Sequence, residues 1–185
     1  MTALETTSPT GERADLMSIL AEQRATLRLT VRGLDDVSAS RRTTASELTL
    51  AGLIKHVTRT ERGWVDIMSG RAGTDRPRES AREQRKAWAD DFHMTAGETL
   101  AGLLDDYARA ARETAEALAA LPDLDRLCPL PPAPWFPPGS AWSVRRILLH
   151  LIRETSQHAG HADIIRESLD GASTTAAWGE GALQG

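Results

Sequence analysis

The sequence predicts an all-α fold, a four-helix bundle, and three observations carry that expectation. Apolar residues recur at spacings of three and four in four long stretches, the period of a helix with one buried stripe. No stretch alternates apolar and polar residues as a half-buried strand does. The 185 residues, 41% of them hydrophobic, suit one domain, since domains run to ~100–200 residues.

The first helix is expected over about Ala14 to Leu34, with Leu16, Leu20, Gln23, Leu27, Val31 and Leu34 as its stripe. The second starts near Thr44 to Leu48, with Ser46 as cap, and reaches Ser69 before Gly70 stops it. Its stripe is Leu50, Leu53, Ile54, Val57, Trp64, Ile67 and Met68. Arg71–Glu79 reads as a polar loop, and a short helical or irregular piece follows over Ala81–Phe92. The third long helix spans Thr95–Leu121 and ends at Pro122, because proline cannot continue a helix. In LCPLPPAPWFPPGSAW, residues 127–142, six prolines sit among two tryptophans and a phenylalanine. This long proline-rich loop before the last helix is too apolar to be a free linker. The fourth helix runs from a Ser143 cap to Asp170, with Gly171 as its stop. The organisation expected from this is a disordered N-terminus over 1–12, a bundle over 13–171 and a flexible tail over 172–185.

Composition removes several classes of function. The net charge of −4 argues against a nucleic-acid binder that relies on bulk positive charge. No apolar run approaches the ~20 residues of a membrane span, and the first dozen residues lack a secretory pattern. The cytoplasm is therefore the expected location. A single cysteine, Cys128, excludes a disulfide framework or multi-cysteine metal cluster and is expected to be an inert, partly buried thiol.

The chemistry concentrates in HLIRETSQHAGH, from His150 to His161. At ~100° per residue, His150, Glu154, His158 and His161 share an arc of about 80° that overlaps the buried stripe. His56 lies at the same kind of margin on the second helix, with Lys55 and Arg59 expected to point away. Metal sites in bundles are built from inward side chains on facing helices, often a carboxylate and a histidine one turn apart. Imidazole with carboxylate suits zinc, nickel or iron, and three protein ligands leave positions open for water or substrate. The ordinary alternative is a Glu–His pair at i,i+4 joined by a hydrogen bond.

LIKHVTRTERGW, followed much later by SVRRILLHLIRETSQHAGHADIIRESLDG, resembles the DinB superfamily, also called DinB/YfiT-like. The likeness runs from about Asp15 to Gly171 and is nearest to an actinobacterial branch of unknown function. It implies a four-helix bundle with a metal triad, one histidine from the second helix and an H-x-x-x-H pair from the last. Here His56 takes the first position, and Glu154 and His158 take the pair, with glutamate replacing the first histidine. The mycothiol-dependent maleylpyruvate isomerases are similar in carrying E-x-x-x-H. His161, one turn on, is the rival third ligand, with Glu154 then supporting a ligand from behind or acting as base.

The resemblance further implies mycothiol- or bacillithiol-type chemistry at a divalent metal, zinc before nickel or iron. A small electrophile is transferred to sulfur or isomerised, with Glu154 and His161 as the catalytic candidates. The rivals are a hydrolase using metal-bound water and a non-catalytic, stress-related binding protein. A homodimer through exposed helix faces stays open.

Overall fold

The computed structural model describes residues 11–71 and 90–179. Expectations falling on 1–10, 72–89 and 180–185 lie outside these residues, including most of the Arg71–Glu79 loop and of the Ala81–Phe92 piece. Four long helices form the bundle, confirming the all-α expectation: α1 (Glu12–Leu29), α3 (Leu50–Met68), α4 (Leu100–Ala119) and α5 (Val144–Asp170). A one-turn helix, α2 (Asp36–Ala39), follows α1, and α6 (Thr174–Gly179) follows α5. The two strands β1 (Leu127–Pro129) and β2 (Ala141–Ser143), unforeseen in the sequence, pair antiparallel with Cys128 opposite Trp142. They close the base of the proline-rich loop and deliver the chain directly into α5.

Capping decides where the helices begin. The Thr49 side chain accepts from Gly52 N–H, so α3 starts at Leu50 and not near Ser46. Ser46 instead holds a turn by accepting from Leu48 N–H. Thr99 caps α4 in the same way through Gly102 N–H, and Gly97, at φ +88°, forbids a helical start at Thr95. Ser143 caps α5 and Gly171, at φ +80°, ends it, both as expected. The helix α1 gives way after Leu29 to a turn through Gly33, at φ +75°. Beyond Gly171, the Asp163 carboxylate accepts from Thr174 N–H and hydroxyl at 2.8 and 2.9 Å, anchoring the start of α6.

Packing around the bundle is densest between α3 and α4 and between α1 and α5, with α3 also against α5. The core divides into two apolar layers. One holds Leu27, Leu53, Ile54, Val57, Leu103 and Ile165. The other holds Leu20, Val65, Met68, Leu118, Ile147 and Leu148.

Between them, on every long helix, falls a buried polar residue: Arg24, Glu61, Thr114 and Thr155. Arg24 grips Glu61 with two guanidinium nitrogens, and the Thr114 hydroxyl donates to the same carboxylate. A buried charge survives only when paired and hydrogen-bonded, and this belt meets both conditions.

Candidate metal centre

The groove between α3 and α5 holds the candidate group. His56 comes from the second turn of α3, and Glu154 and His158 from successive turns of α5, so all three face one another across the helix contact. His158 Nε2 lies 3.4 Å and His56 Nε2 3.6 Å from the same Glu154 oxygen. The three ligand atoms all sit within 4.8 Å of one another. These separations exceed the ~2.7–3.2 Å of a good hydrogen bond. The two distances to the Glu154 oxygen are close to the ~3.4 Å between donors on one tetrahedral ion at bonds of about 2.1 Å. The residues therefore fit a divalent metal better than they fit a directly bonded Glu–His pair.

The surroundings keep the carboxylate charged. The His158 and then the His56 imidazole hold the Glu154 carboxyl well below the usual carboxylate range, against the opposing effect of burial. It is an anion ready to ligate.

His161 falls behind this group, not in it. Its Nδ1 lies 3.4 Å from His158 Nδ1, on the ring edge opposite the one that faces Glu154. His150 is also drawn elsewhere, edge-on to Trp64 and Trp142 with Nδ1 2.9 Å from Arg153. Burial, then Arg153, pushes its imidazole below the ordinary value.

Trp64 and Trp142 stack face to face at 4.8 Å, and Arg146 covers Trp142 at 4.3 Å. Phe136 of the proline-rich loop meets Trp142 edge-on. The loop thus packs onto the α3/α5 groove through aromatic rings, one helical turn along α5 from Glu154. Cys128 is buried, and burial pushes its thiol up, which makes it a poor nucleophile.

One part of the surroundings was not foreseen. Lys55, expected to point to solvent, is buried because the segment ahead of α4 lies across it. Its ammonium donates to the His93 carbonyl at 3.0 Å and to Glu98 at 2.7 Å. Thr49 reaches the Phe92 carbonyl at 3.5 Å, and Arg59 pairs with Asp91. Gly52 permits the contact outright, since a Cβ there would stand 1.8 Å from the Phe92 carbonyl oxygen. Positions 49, 52, 55 and 59 form one stripe of α3 beside His56, and the strap they hold stacks the Phe92 ring on the His56 imidazole at 4.2 Å.

Burial alone would raise the Glu98 carboxyl, but Lys55 and the Thr95 N–H and hydroxyl outweigh it and hold it at about 2. The folded value is the depressed one, so this stabilisation is complete above the ordinary 4.5 and lost as the pH falls towards about 2. The melting-temperature gap between wild type and Glu98→Gln is therefore expected to be widest near neutrality and to narrow through that window. A gap independent of pH would remove Glu98 from the strap.

With a His/Glu/His group of ligand spacing across two helices, the chain is a helical bundle with a candidate metal centre, of the class that builds such sites from inward side chains on facing helices. Within that class, residues 15–171 match the mycothiol-S-transferase family, and the chain belongs to that family and to the DinB superfamily. Among solved structures it is similar to a conserved protein from Enterococcus faecalis, with a TM-score of 0.61 and 13% identity. That likeness covers 89% of this chain and 100% of the other and speaks for the fold alone. No curated protein matches it by sequence. Among the described residues no helix is long and apolar enough to cross a membrane.

Proposed function

We propose that the protein is a metal-dependent S-transferase or isomerase that joins a mycothiol-type thiol to a small electrophilic substrate. The carrying observation is the 3.4 and 3.6 Å spacing of His158 and His56 about one Glu154 oxygen in a chain of the mycothiol-S-transferase family. His56 Nε2, Glu154 and His158 Nε2 would hold the ion, with zinc preferred over nickel or iron for this donor set. A bound divalent ion favours the thiolate form of a thiol at neutral pH and leaves open positions for it.

The chain's own residues supply the rest. His161 stands at the outer nitrogen of His158, where it orients that ring and can carry a proton to and from the groove. The Trp64, Trp142 and Phe136 rings give the groove an apolar wall for a small organic substrate. The reacting sulfur comes from the small thiol, since Cys128 is buried. In transfer, the thiol sulfur bonds to the electrophilic carbon. Its proton goes to the acceptor in an addition, or leaves with the departing group in a displacement.

Metal content by elemental mass spectrometry, followed by thiol consumption with a panel of electrophiles, tests this reading. About one ion per chain and turnover that requires both metal and thiol are expected. Turnover without thiol would establish the hydrolase instead. Metal that raises the melting temperature without any thiol binding would leave a non-catalytic binding protein.

A further inference from the structure

A histidine that ligates a metal through one nitrogen normally donates its other N–H to a carboxylate, carbonyl or water, which fixes the plane of the ring. His158 has a polar neighbour on that side, the His161 Nδ1 at 3.4 Å. His56 does not: its Nδ1 is buried and meets no hydrogen-bond partner among the described residues. What fixes the His56 plane is Phe92, whose ring lies 4.2 Å away at an interplanar angle of 21°.

Phe92 is itself unusually well anchored. Its carbonyl oxygen occupies the space of the missing Gly52 side chain and receives the Thr49 hydroxyl, and the residues on either side are tied down by Arg59 and Lys55. One stripe of α3 thus both precedes and follows His56 and holds the ring that stacks on it.

Resting on the metal reading above, we propose that Phe92 is a positioning residue for the metal centre, a stacking clamp that takes the place of the hydrogen-bonded partner His56 lacks. Gly52, Lys55 and Glu98 serve it by fixing the strap. The clamp sets the direction of the Nε2 lone pair towards the Glu154 oxygen without adding a polar group to this buried edge. Nδ1 is itself buried, which leaves Nε2, the nitrogen facing Glu154, as the ligating one.

The test is the affinity of the full-length protein for Zn²⁺, by competition with a chromophoric chelator, and the visible spectrum of the Co²⁺ form. Outer partners of ligating histidines are worth ~10–100-fold in metal affinity. Phe92→Ala is expected to lose affinity in that range and to shift the Co²⁺ bands, while circular dichroism shows the bundle intact. Phe92→Trp, which keeps a stacking face, should restore most of both.

Gly52→Ala, whose new Cβ must displace the Phe92 carbonyl, is expected to weaken metal binding although the site's own residues are untouched. Equal affinity and unchanged bands in Phe92→Ala would overturn the clamp and leave the metal reading standing. A wild type that takes up no metal would overturn both.

Discussion

Glu61→Ala is expected to cost about 3–5 kcal/mol, the usual penalty for leaving one member of a buried ion pair without its partner. At ~2–4 °C per kcal/mol for a domain of this size, that is a fall of about 6–20 °C in melting temperature. The size follows from the surroundings. Arg24 and Glu61 are 8% and 1% exposed, and Glu61 accepts from both Arg24 and Thr114. Removing the carboxylate strands a guanidinium between two apolar layers.

The double variant Arg24→Met with Glu61→Leu is expected to recover most of the loss, because apolar replacement of a whole buried pair is often neutral or better. Thr114 is not orphaned by that change, as its one hydroxyl proton then has the Ala110 carbonyl, 2.9 Å away, as acceptor. Thermal and urea unfolding of the three proteins measure this. A Glu61→Ala melting temperature within about 2 °C of wild type would mean that the belt contributes nothing.

His158→Ala is expected to abolish stoichiometric metal binding, weakening it by more than the ~10–100-fold that an outer partner commands, and to take thiol-dependent turnover with it. His158 contributes to the triad through Nε2 and is held from behind through Nδ1, so its removal deletes a ligand and leaves His161 with nothing to orient. His161→Ala is expected to fall within the ~10–100-fold range, with the ion still bound at higher concentration. The order of the two effects is the discriminating quantity. If His161→Ala proved the more damaging, His161 would be the ligand and Glu154 the base. Far-ultraviolet circular dichroism on both variants keeps a folding defect from passing for a lost ligand.

The helices were legible because a buried stripe at period 3.6 is a local signal, repeated over many residues. Ser143 and Gly171 mark the ends of α5 for the same reason. The starts of α3 and α4 were misplaced because several Ser and Thr residues competed to cap them. Gly97 and the turn at Ser46 decided between the candidates. The hairpin was missed because three-residue strands are too short to alternate visibly.

Of the four candidate ligands, His56, Glu154 and His158 come together. Helical periodicity could not separate His161 from them, since it shares their face and differs only in depth along the groove. The Arg24–Glu61 pair did leave a trace. Each is a charge at a stripe position, between Leu20 and Leu27 in α1 and between Val57 and Trp64 in α3.

The sequence by itself determined four helices, their faces, and a histidine–carboxylate cluster on the margin of two of them, because each follows from neighbours within a few turns. Only the tertiary structure decided that Lys55 is buried, that Phe92 clamps His56, and that His161 stands behind His158. The first two contacts join segments tens of residues apart, and the third, though between neighbours on α5, takes its meaning from the ligand that α3 brings to His158. Their geometry depends on how α3, α5 and the strap ahead of α4 pack, which no local spacing records.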